Sequence, residues 1–77
     1  MNVIETEDKT VIPSISYKKL WKLLIDLDMH KNVLRELLSP STVQKLNHNE
    51  QVSMDVLMRI CTFFKCQISD IVEIKYI

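Results

Sequence analysis

The chain has 77 residues, 47% of them apolar, with ten basic and ten acidic side chains and no glycine. That length makes one domain with a thin core, which buries about 60% of the surface its unfolded chain exposes, and the apolar share excludes a disordered chain. The missing glycines exclude a Walker loop and a dinucleotide-binding fingerprint, because both need close approach of backbone to phosphate.

Apolar runs are short: Leu23-Leu24-Ile25 meets Asp26 at once, whereas a membrane span needs about 20 residues. Glu5, Glu7 and Asp8 give the N-terminus the wrong charge for a secretory signal. A cytoplasmic protein with no membrane partner is the expectation. Cys61 and Cys66 are too few for a disulfide scaffold and do not form a CxxC pair. They read as small apolar side chains in or near the core. His30 and His48 are not at paired metal spacing, so neither metal nor cofactor is expected. No HExxH, GxSxG or kinase signature occurs, and no nucleophile, base and orienter stand together. The chain is therefore not expected to be an enzyme, and no small-molecule site is evident. Charge is uneven along the chain. Residues 1–15 hold one lysine against three acids, and residues 50–77 hold three bases against four acids. Between them Lys18, Lys19, Lys22, Lys31, Arg35 and Lys45 face only Asp26, Asp28 and Glu36, a local surplus of three.

Residues 1–15 predict an extended arm or short edge strand, since Val11-Ile12-Pro13-Ser14-Ile15 is β-branched and carries a proline. A first helix starts at Ser16 as N-cap and ends near Asp28, with Tyr17, Leu20, Leu24 and Leu27 at helical spacing and Ile25 widening the stripe. Trp21 sits on that stripe as a core anchor, whereas Lys18, Lys19 and Lys22 form a solvated face. A second helix begins near His30 or Lys31, and Val33, Leu34 and Leu37 are its apolar positions. Ser39-Pro40 is an N-cap followed by proline at the first helical position, where a missing N–H costs nothing. The third helix then runs to about His48, with Val43 and Leu46 inward and Ser41, Gln44, Lys45 and His48 outward. Asn47 and Asn49 are the best substitutes for glycine at a left-handed helix end. Ser53 caps a fourth helix with Leu57, Ile60, Cys61 and Phe64 on one stripe, leaving Met58 and Phe63 off it. Ser69 and Asp70 start a short fifth helix carrying Ile71 and Val72, and the alternating tail to Ile77 predicts a short strand.

Five short helices with brief connections make an all-α bundle. In that frame Leu34-Arg35-Glu36, Ser39-Pro40-Ser41-Thr42-Val43-Gln44-Lys45-Leu46, Val52 to Cys61, and Cys66-Gln67-Ile68-Ser69-Asp70-Ile71 resemble successive helices of the lambda-repressor-like, XRE or Cro-type helix-turn-helix regulators. The likeness spans Ile15 to Ile74, within an expected domain over residues 16–77. The stretch from Leu34 to Leu46 is about two residues shorter than in that family. Because two residues turn a helix by about 200°, the difference is expected in the turn.

The resemblance implies a transcriptional regulator that reads duplex DNA by placing the Ser39–His48 helix in the major groove. Gln44 would pair with adenine and Lys45 with guanine. Ser41 and Thr42 would reach base or phosphate, and free N–H groups at the Ser39 end would donate to a phosphate. Lys31, Asn47 and His48 would contact the sugar-phosphate backbone. A homodimer on a two-fold site is expected, joined through residues 12–15 or the tail Ile74–Ile77. The alternative is a protein-interaction module, such as an antitoxin or accessory subunit, with Met54, Met58 and Phe63 as its apolar patch.

Overall fold

A computed structural model of the chain describes residues 13–76; residues 1–12, most of the expected arm, and Ile77 lie outside the described residues. The elements in order are β1 (Pro13–Ser16), α1 (Lys18–Asp26), α2 (Asn32–Leu37), α3 (Pro40–Asn47), α4 (Met54–Phe64), a 3-10 turn (Ile68–Asp70) and β2 (Glu73–Tyr76).

Four α-helices are present among the described residues rather than five. The expected fifth helix is one 3-10 turn. The Asp70 carboxylate accepts the Gln67 N–H at 2.9 Å, and the Ile71 N–H donates to Ile68 at 3.0 Å. The turn closes on itself, and β-branched Ile71 and Val72 lead into β2 instead of extending a helix.

The core is built from one or two buried side chains on each α-helix, with Tyr17, Leu38 and Ile71 from the segments between elements. Tyr17, Leu20 and Leu24 meet Leu34 and Leu38, Val43 and Leu46, Leu57 and Ile60, and Ile71 after the turn. Each fully buried aliphatic side chain is worth about 1.5–3 kcal/mol relative to an exposed one. Trp21 is half-buried and packs against the edge of this cluster instead of anchoring its centre.

Helix α1 begins one residue later than Ser16 would set it. Tyr17 is the N-cap, and the Ser16 hydroxyl accepts the Lys18 N–H at 3.2 Å from one position upstream. The helix also stops early, at Asp26. Asp28 adopts φ 58°, and the Met29 N–H reaches back to the Leu24 carbonyl at 2.8 Å. Ile25, inside the helix, is 75% exposed and Leu27, just beyond it, is 45% exposed, so the expected apolar stripe is narrower than its spacing suggests.

The same closure recurs twice. Asn49 (φ 56°) follows α3, where Glu50 N–H donates to Lys45 at 2.8 Å; Lys65 (φ 55°) follows α4, where Cys66 N–H donates to Cys61 at 3.0 Å. These are left-handed helix ends of the kind glycine usually occupies. Asn49 fills that role as its side chain allows, whereas Asn47 is the last residue of α3.

Strands β1 and β2 form a two-stranded antiparallel ribbon with Pro13 opposite Tyr76, Ile15 opposite Ile74 and Ser16 opposite Glu73. The two segments expected as rival dimer contacts therefore pair with each other. Pro13, Ile15, Ile74 and Tyr76 share one face of the ribbon, because side chains alternate along a strand.

Candidate nucleic-acid interface

Helix α3 is placed by short-range chemistry at its start and long-range chemistry at its end. Leu38 and Ser39 are both extended, so two residues carry the chain from α2 into α3. The Ser39 hydroxyl accepts the Thr42 N–H at 3.3 Å, and Pro40 occupies the first turn. The Ser39 oxygen also shares hydrogen bonds with the hydroxyls of Thr42, at 2.9 Å, and Ser41, at 3.2 Å. All three hydroxyls gather at the N-terminal end of the helix.

At the other end, Asn49 and Glu50 are tied to the start of α1. The Tyr17 N–H donates to Asn49 Oδ1 at 3.1 Å, and the buried Tyr17 hydroxyl donates to the Glu50 carbonyl at 2.7 Å. Burial raises the Tyr17 phenol above its ordinary value, partly offset by a backbone hydrogen bond from Val52. Lys31 adds a third tie. Its ammonium donates to Asn47 Oδ1 at 3.2 Å and lies 4.1 Å from the centre of the Trp21 ring. One lysine thus joins α1, the start of α2 and the end of α3, with a cation–π contribution of about 0.5–1 kcal/mol at an exposed site.

Between these ends Val43 and Leu46 are buried, and Ser41, Gln44, Lys45, Asn47 and His48 are exposed, with Thr42 half-buried. The exposed side chains divide between two concave surfaces. Gln44, Asn47 and His48 line one with Arg35, Pro40 and Val43, in the angle between α2 and α3. Lys45 lines the other, with Pro13, Ile15 and Ile74 of the ribbon and the loop from Asn49 to Val52. Gln44 and Lys45 therefore flank the outer face of α3 on opposite sides. His48 Nδ1 lies 3.9 Å from a Glu50 carboxylate oxygen, a contact that is ionic only when the imidazole is protonated.

Of the residues expected at the interface, Lys31, Ser39, Ser41, Thr42, Gln44, Lys45, Asn47 and His48 all lie on α3 or against it, but Lys45 lines a different concave surface from Gln44, Asn47 and His48. Sequence reasoning missed Arg35. It counts toward the local positive charge and belongs to the second helix but has no contact assigned there, although it stands four residues after Lys31 and so on the same side of α2. Among the described residues no group of three or more His, Cys, Asp or Glu side chains gathers as a metal site, and no helix is long and apolar enough to cross a membrane.

Two helices joined by a tight extended turn, with the second propped on the core by one face and bare on the other, define a helix-turn-helix. The chain belongs to the Cro/C1-type helix-turn-helix DNA-binding domain family, whose model matches residues 19–75. This is a family of DNA-binding domains and not an enzyme class. The chain is also similar to the transcriptional regulator VanUg, whose crystal structure aligns at 51% identity with a TM-score of 0.79, covering 82% of this chain and 87% of that one. Among curated proteins none matches.

Proposed function

We propose that this protein is a sequence-specific transcriptional regulator in the cytoplasm that binds duplex DNA as a homodimer and reads the major groove with α3. The observation that carries this reading is the division of α3: Val43 and Leu46 are buried, while Gln44 and Lys45 stand exposed. A rod of eight residues held this way is about 12 Å long, and its diameter of about 10–12 Å fits a groove about 12 Å wide. Likeness to a transcriptional regulator across most of both chains supports the same reading.

In this arrangement Gln44 pairs with adenine and Lys45 donates to guanine N7 or O6, each on its own side of α3. Ser41 and Thr42 reach base or phosphate at the helix start, and Ser39 holds that start in shape. Lys31, Asn47, His48 and the newly placed Arg35 contact sugar-phosphate and set register without reading sequence. The ribbon offers one free edge per strand for pairing with a second copy.

The test is equilibrium binding to duplex DNA over a range of salt concentrations. Phosphate contacts give a log–log slope of about −0.9 each. A flat salt dependence, or no binding at low salt, rejects the reading. Gln44→Ala should relax preference at one base position by about 1–3 kcal/mol.

One observation favours a second reading, a protein-interaction module. Met54 and Met58 lie one turn apart on α4 and are 58% and 57% exposed. A stoichiometric protein partner, retained when no DNA is bound at low salt, would select it.

A further inference from the structure

The end of α4 holds two side chains that DNA recognition does not use. Lys65, at φ 55° and ψ 52°, turns the chain so that the Cys61 carbonyl accepts the N–H of both Lys65 and Cys66, the latter at 3.0 Å. This closure clamps the third residue before the helix end against the second residue beyond it and presses their side chains together. After α1 the clamped pair is Leu24 and Met29; after α4 it is two cysteines.

A hydrogen bond of that length limits the two Cα atoms to a separation of about 7 Å, and the angle at the carbonyl carbon shortens it further. A disulfide needs a Cα separation of about 4.4–6.8 Å. Both thiols are free, and the Cys61 sulfur is near enough to help raise the Cys66 thiol. Each is half-buried against the core, close enough to the surface for a small oxidant to reach.

We propose that Cys61 and Cys66 are a reversible disulfide site that staples the end of α4 to the segment leading into the 3-10 turn. The oxidant is a low-molecular-weight disulfide. The Cys61 thiolate attacks one of its sulfurs, forming a mixed disulfide and expelling one thiolate. Cys66 gives its proton to solvent, attacks the Cys61 sulfur and expels the second. One external disulfide becomes two thiols, and the protein gives up two hydrogens. Burial, reinforced by the Cys61 sulfur and by Asp70, pushes the Cys66 thiol up to about 11. Cys66 therefore holds its proton at neutral pH and serves as the resolving partner, whose slow ionisation is offset by its position beside the mixed disulfide. The staple reaches beyond α4, since the turn it secures is bonded to α1 by Lys19 Nζ donating to the Ser69 carbonyl at 3.2 Å.

The experiment incubates the full chain with oxidised glutathione, quenches it in acid, labels remaining thiols with a maleimide after denaturation, and reads intact mass. The expected product has lost both thiols together, is lighter by two hydrogens, carries no glutathione, runs as a monomer on a non-reducing gel and reverts with dithiothreitol. Its Tm should exceed that of the reduced chain by about 5 °C or more. Cys66→Ser should instead accumulate one glutathione on Cys61. If that variant fails to fold, the wild-type mass and Tm decide alone. A chain that stays reduced at every oxidant level, keeps its glutathione adducts or forms linked dimers overturns the proposal. A lower Tm in the oxidised chain overturns it too, because the folded cap would then lack disulfide geometry.

Discussion

The Tyr17 hydroxyl donates to the Glu50 carbonyl at 2.7 Å, so the first residue before α1 holds the residue just beyond the left-handed Asn49 that follows α3. Tyr17 is fully buried. Tyr17→Phe should keep the ring packing and lose the donor, costing about 1–3 kcal/mol because the carbonyl is left unpaired. Urea denaturation measures this. A cost near zero would mean that water replaces the phenol.

The same phenol sets a pH dependence. Burial raises its folded value above the ordinary 10.0, so the native state holds the proton more tightly than the unfolded chain. Its contribution is fully present below the ordinary value and is lost as pH rises through the folded one. Cys66, pushed up to about 11, acts in the same direction. Stability should therefore fall in strongly alkaline buffer, and Tyr17→Phe should make the fall shallower, as read from denaturation midpoints.

Lys65 occupies a left-handed backbone at φ 55° although it carries a Cβ. Lys65→Gly should raise stability by about 0.5–1 kcal/mol by removing that steric cost. A thermal melt checks it, and a lower Tm would show that the lysine side chain makes a compensating contact.

Ser39→Ala should destabilise the protein by about 1 kcal/mol, since it strips the cap from α3. The substitution should also blunt DNA affinity by loosening the helix start. Chemical denaturation and a binding isotherm on one preparation separate the two effects.

Lys31→Ala and Arg35→Ala should weaken binding to all DNA sequences alike and make the salt slope shallower by about 0.9 for each phosphate that is no longer neutralised. Lys31→Ala should also lower stability, because its ammonium bridges Asn47 and Trp21. An altered base preference in either variant would move that residue from positioning to reading.

The local parts of this fold were legible in the sequence. Ser39 and Ser53 cap their helices through bonds to backbone N–H groups three residues ahead, and such bonds depend on neighbours in the chain. Val43 and Leu46 were placed inward by spacing alone. Asp28 and Lys65 were illegible as left-handed residues, because the demand for that geometry arises from how each helix must end against the core. The pairing of Pro13 with Tyr76 and the link from Lys31 to Asn47 join distant segments, and periodicity carries no information about such partners. The place of Arg35 beside α3 is hidden from sequence for a related reason: it depends on the angle between two helices.

The β1–β2 seam has a consequence for vectorial synthesis. Pro13–Ser16 leaves the ribosome long before its partner Glu73–Tyr76 exists. Until Glu73–Tyr76 is made, the edge of Pro13–Ser16 has no partner strand. A stop codon placed just before Glu73 tests how far the bundle depends on the seam: near-normal helical circular dichroism with rapid protease cutting at Pro13–Ser16 would make β2 a latch on the helices.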